Sequence, residues 1–362
     1  MGREGLDAQV DQRGLVVGNY CHDVLIKDGQ VIGESLGGAS SFVFNVFDEL
    51  SVSCDYVSKV GSDFAYSVPH RPLSSPSSPT TLFYAHLTSP DGVDGDSGAQ
   101  DRVLKRVHAC EAIEPSDLPD SRFDFGLAVG VAGEIRPETL ERMIELCGVV
   151  FVDVQALIRV FDSVDGSVRL VGLRESGFFH LIPRIGFLKT SAEEAPFVDV
   201  EEARKVCCVI VTDGKDGCRV YWRDGELQVS PFTAVQIDPT GAGDSFLGGF
   251  VAGLMSGLAV PDAALLGNLF GSLTVSQIGI PKFNSKLMER VKDVSRGRKM
   301  HCHRRDAGSQ FNKSVGHEEF HTSLSLAAKR LSTFDGEEDE WDSKKSPDQG
   351  APQSICHESN GL

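Results

Sequence analysis

Two short stretches of the chain, Val149-Val150-Phe151-Val152 and Val206-Cys207-Cys208-Val209-Ile210-Val211, are apolar at every position, the pattern of strands buried on both faces of a parallel sheet. Both read as interior strands. Just ahead of the first, Leu140, Met143, Ile144 and Cys147 recur at helical spacing behind Pro137, a residue suited to the first turn of a helix. Repeated between Gly, Pro, Asp and Ser punctuation, this alternation predicts one α/β body over residues 14–294. Three runs without a helix between them, residues 30–36, 80–87 and 102–108, alternate with polar side chains and predict a small accessory sheet, a β lid on the body. Pro69 to Pro79 and Thr88 to Gln100 are turn-rich surface loops.

Past about Val294, Val, Ile, Leu and Phe thin out to below the roughly 20% at which a segment stops supporting a core. Residues 295–362 are therefore expected to form a disordered C-terminal tail, and residues 1–13 a flexible lead. The tail's basic patch (Arg296, Arg298, Lys299, Arg304, Arg305) and its acidic run from Asp335 to Asp342 read as solvated chain.

Composition narrows the function classes. At 362 residues and 41% hydrophobic content the chain can bury a sizeable core. Residues 1–290 hold 24 Lys+Arg against 40 Asp+Glu, so the body carries nearly all of the net charge of −17. Such a surface repels a phosphate backbone and anionic lipid, which argues against nucleic acid or membrane partners. The longest apolar stretch, Gly248 to Val275, is broken by six glycines, Pro261 and Asp262, short of the roughly 20 unbroken residues of a membrane span. The N-terminus has no apolar leader core, and nine cysteines without a CxxC pair suit reduced thiols. A soluble cytoplasmic protein is expected, with nothing to set its oligomeric state.

The richest chemical signal is Asp238-Pro239-Thr240-Gly241-Ala242-Gly243-Asp244-Ser245-Phe246, followed by a glycine-spaced apolar helix. A Gly-x-Gly turn that opens a helix leaves amides outside the hydrogen-bond ladder at the positive end of the macrodipole, a ready anion site. A plain strand-to-helix turn, with Asp244 merely stabilising the first helical turn, is the simpler account. It leaves unexplained why a carboxylate stands beside amides suited to an anion. Phosphoryl transfer to a hydroxyl explains both: Asp244 takes the hydroxyl proton while Gly241, Ala242 and Gly243 form an anion hole for the transferred group.

This string resembles the C-terminal motif of the ribokinase-like (PfkB) carbohydrate kinases, and the resemblance extends over Gly14 to about Lys292. It implies a three-layer αβα, mostly parallel sheet with a small β lid, ATP as co-substrate and magnesium (Mg2+) as cofactor. Gly18 to Asp23 is similar to the family's first strand and the substrate-binding Asp after it, here Asp23. Leu36-Gly37-Gly38 resembles the double-glycine sugar motif, and Val60 to Asp63 also matches. Lys189 to Glu194 resembles Lys-Pro-Asn-x-x-Glu, which implies that Glu194 helps organise magnesium indirectly and Ser191 lies at the phosphates. Thr212 to Gly217 is similar to the nucleotide loop, implying ATP contacts at Thr212, Gly214 and Gly217, and Asn268 falls where the family touches adenine. The family also allows Asp238 and Thr240 to supply oxygens to a monovalent cation such as potassium (K+), a capping role being equally compatible.

Longer strings, among them GLVVGNYCHDVLI, ESLGGASSFVFNV and DVQALIRVFD, are similar to the plant myo-inositol kinase branch of the family, which implies a small polyol, myo-inositol, phosphorylated at its 3-hydroxyl. Chemistry alone permits this, since Asp23 and Asp244 are acceptors for an uncharged polyol. Other sugar or nucleoside kinases, or a non-catalytic relative, remain alternative readings, the last opposed by the intact Gly241 to Asp244.

Two positions depart from the family pattern. Phe42 stands where many of its sugar kinases have Asn, and Ser191 where Asn is usual, which shortens the side chain at the phosphate end and favours a water bridge. Asp153 and Gln155 follow a buried strand at the edge where open α/β sheets bind ligands, yet a simple turn pair accounts for them as well. His317-Glu318-Glu319-Phe320-His321 matches HExxH, but the surrounding segment is expected not to bury a helix and offers no third ligand. No P-loop string occurs.

Overall fold

The computed structural model describes residues 12–87, 102–299, 311, 313 and 315–332. The lead over residues 1–11, the loop from residue 88 to 101, the basic pair Arg304 and Arg305 and the acidic run beyond residue 332 lie outside the described residues.

The chain opens with β1 (Gly14–Val17), then crosses into a hairpin of β2 (Cys21–Lys27) and β3 (Gln30–Gly37) before α1 (Ala39–Leu50). Next come β4 (Cys54–Val57), the short β5 (Lys59–Gly61) and β6 (Leu73–Ser75), and a second hairpin-like pair, β7 (Thr81–Leu87) and β8 (Arg102–His108). The middle of the chain alternates strand and helix: β9 (Phe123–Ala128), α2 (Pro137–Leu146), β10 (Cys147–Asp153), α3 (Gln155–Ile158), β11 (Arg159–Phe161), β12 (Val168–Leu170) and β13 (Phe187–Ser191). After α4 (Val200–Ala203) follow β14 (Cys208–Thr212), β15 (Cys218–Trp222) and β16 (Gly225–Val229), and the described chain finishes in four helices. These are α5 (Ala242–Met255), α6 (Val260–Val275), α7 (Ser285–Lys299) and α8 (His317–Ser332).

The main sheet has eight strands in the order β16-β15-β14-β13-β10-β9-β1-β4. From β14 to β4 every pairing is parallel, and β15 and β16 add an antiparallel edge. The all-apolar runs fall in β10 and β14, both interior as expected, and the Pro137 pattern is α2. Phe151 of β10 packs among Phe47, Phe125 and Phe250 on one face, while Val150 and Val152 pack with Leu140, Met143 and Leu188 on the other. Burial on both faces is what makes these strands continuously apolar, and it yields the three-layer αβα body.

The lid is a separate four-stranded sheet, β3-β2-β7-β8. Three of its strands are the polar-interleaved runs, although the first is separated from the other two by helix α1, contrary to the expectation of no helix between them. The fourth, β2, was expected as the end of the first body strand. In the structure β1 stops at Val17, and Cys21 to Lys27 pair with β3 and run parallel to β7, so Asp23 belongs to the lid.

The tail expectation needs correction over residues 295–299 and 317–332, which belong to helices. Helix α7 runs on to Lys299, and α8 docks on the body with Phe320, Leu324 and Ala327 buried in the core. Three apolar residues on one stripe suffice to seat a helix even where average composition is polar. A buried charge cluster adds to it: Asp262 of α6 accepts from Arg298 Nε at 2.8 Å and faces His317 Nδ1 at 2.6 Å. The HExxH residues therefore do lie on a helix, but His321 bonds the carbonyl of Pro231 at 3.0 Å and His317 belongs to Asp262. No cluster of three or more metal-ligating side chains occurs among the described residues. No helix among them is long and apolar enough to cross a membrane.

Candidate active site

The parallel strands β10 and β13 end side by side, with Asp153 registered against Lys189. Lys189 Nζ donates to Asp153 Oδ2 at 2.9 Å with both side chains buried. Two residues on, Ser191 and Glu194 bond reciprocally: the Ser191 amide donates to Glu194 Oε2 at 3.0 Å, and the Glu194 amide to Ser191 Oγ at 3.2 Å. Arg159 approaches the other Glu194 oxygen at 3.7 Å. Burial opposes charge on Lys189, yet Asp153, Glu194 and Asp244 together hold its pKa above the ordinary lysine value. Asp153 itself is pushed up to about 6 by burial, against the pull of Lys189.

Over this cluster sits the N-terminus of α5. Gly241 is its cap, in the left-handed region at φ 73°, a conformation that favours glycine. The first bond of the ladder runs from the Ser245 amide to the Gly241 carbonyl at 2.8 Å, and the amides before it lie outside the ladder, that of Ala242 turned to the Pro239 carbonyl at a long 3.3 Å. The Lys189 ammonium lies beneath this turn: a Cβ at Gly243 would be 2.6 Å from Nζ. Ahead of the turn, Asp238 Oδ1 accepts from the Thr240 amide at 2.9 Å and from its hydroxyl. The two residues proposed for a monovalent cation are thus together and share a local turn.

Asp244 is the third residue of α5. Its Oδ1 accepts from Gln155 Nε2 at 2.9 Å; no hydrogen bond engages Oδ2 among the described residues. Burial pushes the Asp244 carboxyl above the usual aspartate value, while Lys189, Arg159 and the Gln155 hydrogen bond pull it back. The sequence offered Gln155 as a turn residue or a cleft lining. The structure makes it the bonded neighbour of Asp244, across 89 positions of chain.

On the lid side, Asp23 packs against Gly37, where any Cβ would collide with its carboxylate. Gly38, at φ 87°, is the cap of α1 and would collide with the Asn19 carbonyl if it carried a side chain. The double glycine is what lets the chain fold from the lid strand β3 into α1 against the Asp23 strand. Buried Cys21 links the two sides, since burial and then Asp23, Glu134, Cys110 and Asp244 all raise its pKa. Asp23 and Asp244 thus bear on one thiol from opposite elements.

The position of Phe42 also has an explanation. Its ring, 2% exposed, lies directly against Gly241, in the space a Cβ there would need. The side chain supports the floor of the anion turn and cannot make a polar substrate contact.

Thr212 ends β14, and Asp213 to Gly217 form a tight turn closed by the Asp213 amide on the Gly217 carbonyl at 2.8 Å. Gly214 and Gly217 take φ 47° and 86°. Asn268 is buried on α6, and its Nδ2 donates to the carbonyls of Val229 at 3.3 Å and Ser230 at 2.9 Å. It anchors α6 to the exit of β16.

Chemically, the arrangement combines a helix start of the kind that suits an anion, a buried ammonium beneath it and a carboxylate with one oxygen open. These are the parts of a phosphoryl-transfer centre. The comparisons agree. Residues 188–285 match the model described as pfkB family carbohydrate kinase. The chain is 59% identical over 327 residues to an inositol 3-kinase of Arabidopsis thaliana, covering 90% of each chain, and 54% identical over 339 residues to an inositol 3-kinase of Oryza sativa subsp. japonica, covering 90% of this chain and 84% of that one. Among solved structures it is similar to a pyrophosphate-dependent kinase in the ribokinase family complexed with a pyrophosphate analog and myo-inositol, with TM-score 0.62, 16% identity and coverage of 74% and 97%. The fold is ribokinase-like. The chain belongs to the pfkB family of carbohydrate kinases.

Proposed function

We propose that this chain is an inositol 3-kinase that transfers the γ-phosphoryl group of ATP to the 3-hydroxyl of myo-inositol, releasing 1D-myo-inositol 3-phosphate and ADP. The observation that carries the reaction type is Asp244 at the amide turn of α5, half satisfied by Gln155 and set above Lys189. The acceptor is supported by the inositol 3-kinases that match at 52–59% identity over about nine tenths of this chain.

In this reading Asp244 Oδ2 accepts the proton of the acceptor hydroxyl as its oxygen bonds to the γ-phosphorus and the bond to the ADP oxygen breaks. The amides of Gly241, Ala242 and Gly243 stabilise charge on the moving group, and Lys189 reinforces their field from below. Asp23, with Gly37 and Gly38 fixing its strand, holds the polyol from the lid. The turn carrying Thr212, Gly214 and Gly217 lies along the nucleotide, and Asn268 supports that side through β16.

The donor set fits an ion carried mostly by phosphates and water: Glu194 has its oxygens directed to the Ser191 amide and Arg159, and no all-protein cage exists among the described residues. Magnesium, when bound, neutralises the donor phosphates. Glu194, seconded by Ser191, is the residue that would face it through water. Potassium would be held at Asp238 and Thr240, through oxygens that also close their turn.

The test is competition kinetics with ATP or pyrophosphate as donor and with myo-inositol, ribose, fructose and nucleosides as acceptors. Myo-inositol with ATP is expected to lead by at least tenfold in kcat/KM, about 1.4 kcal/mol. A pentose, hexose or nucleoside that wins overturns the acceptor; pyrophosphate overturns the donor.

A further inference from the structure

Gln155 lies where an immobile group is needed. It is the first residue of α3, directly past the end of β10, and its side chain is buried. Its own amide donates to Asp153 Oδ1 at 3.3 Å, while the other Asp153 oxygen takes Lys189. The preceding Val154 amide is tied to the Lys189 carbonyl at 2.8 Å. The backbone that carries Gln155 is thus pinned to both strands of the site, and its side chain reaches Asp244 Oδ1 at 2.9 Å.

We propose that Gln155 is a positioning residue for phosphoryl transfer: by donating to Asp244 Oδ1 it leaves Oδ2 as the oxygen that receives the acceptor proton. The proposal rests on the reading of Asp244 as the base. An ionised carboxylate is acceptor-only, so the amide edge that meets it is the donor nitrogen. Once the proton has moved from the acceptor hydroxyl to Oδ2, Oδ1 is the carbonyl oxygen of the acid and still accepts from Gln155. One fixed donor therefore serves the carboxyl before and after the transfer, without rearrangement.

The charged and titratable groups around Asp244 are Lys189 from β13, Arg159 from β11, Asp153 from β10, Glu194 from the segment after β13 and Cys21 from the lid. Among the described residues none of them hydrogen-bonds to Asp244, whereas Gln155 does. A hydrogen bond to the ionised form favours that form, so removal of Gln155 must raise the pH at which Asp244 loses its charge, while the surrounding charges stay in place.

The experiment uses the full chain with ATP and myo-inositol. Gln155→Met keeps length and volume and removes the donor. The expected result is a kcat lower by about tenfold, a KM for ATP within about twofold, and an acid limb of kcat/KM displaced to higher pH. In an Asp244→Asn background the same change is expected to cost nothing further, because the group it acts through is gone. Should Gln155→Met fail to fold, Gln155→Glu keeps the polar shape and sets a carboxylate against Asp244, with a larger displacement of the same limb expected. An unmoved limb with normal kcat, or an equal loss in both backgrounds, overturns the proposal. Near-normal turnover of Asp244→Asn by itself overturns the base assignment instead, whatever Gln155→Met does.

Discussion

Asp244 and Asp262 are each the third residue of a helix, on the consecutive and tightly packed α5 and α6. Position and residue type predict the same role for both, a carboxylate that stabilises a first helical turn. Their surroundings give them opposite ones. Asp262 is fully buried with both oxygens taken, Oδ1 by His317 and Oδ2 by Arg298. Burial alone would raise its pKa, but His317 and Arg298 outweigh it and hold the carboxyl below the usual value. Asp244 has one oxygen taken, by a neutral amide, and for it burial prevails over Lys189 and Arg159. A saturated carboxylate holds helices together. A half-saturated one retains a lone pair for chemistry, and its charge is tolerated at some expense to the fold.

The same substitution at the two sites separates these roles, and the largest effect is expected in turnover. Asp244→Asn keeps shape and removes the proton acceptor, so kcat is expected to fall by about 10²–10⁴, with ATP affinity equal or higher because a negative charge near the γ-phosphate has gone. The melting temperature is expected to hold or rise, since a carboxyl whose folded pKa is raised is costly to keep ionised. Near-normal turnover would return Asp244 to the capping role that its helix position alone suggests.

Asp262→Asn is expected to do the reverse. It leaves the Arg298 guanidinium and His317 without their shared anion in a buried site, at a cost of about 3–5 kcal/mol, while the folded enzyme keeps its kcat. Urea unfolding and turnover on the same preparation decide it. Truncation after Lys299 is expected to destabilise through the same residues, because it removes His317 along with the buried Phe320 and Leu324. Unchanged unfolding after truncation would restore the unpacked tail predicted from composition.

Legibility in the sequence follows the same division between local and distant causes. β10, β14 and α2 were readable because burial on both faces, or on one helical stripe, leaves a periodic trace. The anion turn was readable because Gly241, Gly243 and Asp244 are adjacent in the chain. The seating of α8 was not, because Phe320, Leu324 and Ala327 are diluted by polar neighbours and their partner surface on α6 is some 60 residues back. Nor was the bond from Gln155 to Asp244, which depends on how β10 and α5 meet and leaves no pattern in either segment. Lys189 was visible as a motif letter, while its place under Gly243 depends on the strand-end geometry. The Phe42 ring could be recognised as a departure from the family, but only contact with Gly241 supplies its reason.

Gly241→Ala sharpens the comparison from the helix start. The left-handed backbone costs an Ala roughly 1–2 kcal/mol, and its Cβ would displace the Phe42 ring. Because the strain lies in the anion turn, a loss of about tenfold in kcat/KM for ATP is expected. Combining it with Phe42→Leu should recover part of the stability and little of the activity, since the ring is relieved while the cap stays strained. Full recovery of activity in the double variant would show that the turn needs only space and not its glycine geometry.

The smallest effect, and the one that sets the two aspartates against each other in a single titration, is their order of protonation. Asp244 has a raised folded pKa, so its proton binds at higher pH than in the unfolded chain; acidification through that point removes the base and at the same time relieves the fold of a partly buried charge. Asp262 has a lowered folded pKa, so its stabilisation is fully present above the ordinary aspartate value near 3.9 and is lost as pH falls through its lower folded value. Activity is therefore expected to decline on the acid side while circular dichroism and melting temperature still report an intact protein. The loss of structure tied to Asp262 follows only at lower pH. In Asp262→Asn the second stage should vanish, so that the stability gap between parent and variant narrows as pH falls, while the activity limb stays where it was. If activity and structure disappear together in the parent protein, the raised Asp244 and the lowered Asp262 cannot both be right, and the contrast between a working and a structural carboxylate on α5 and α6 fails with them.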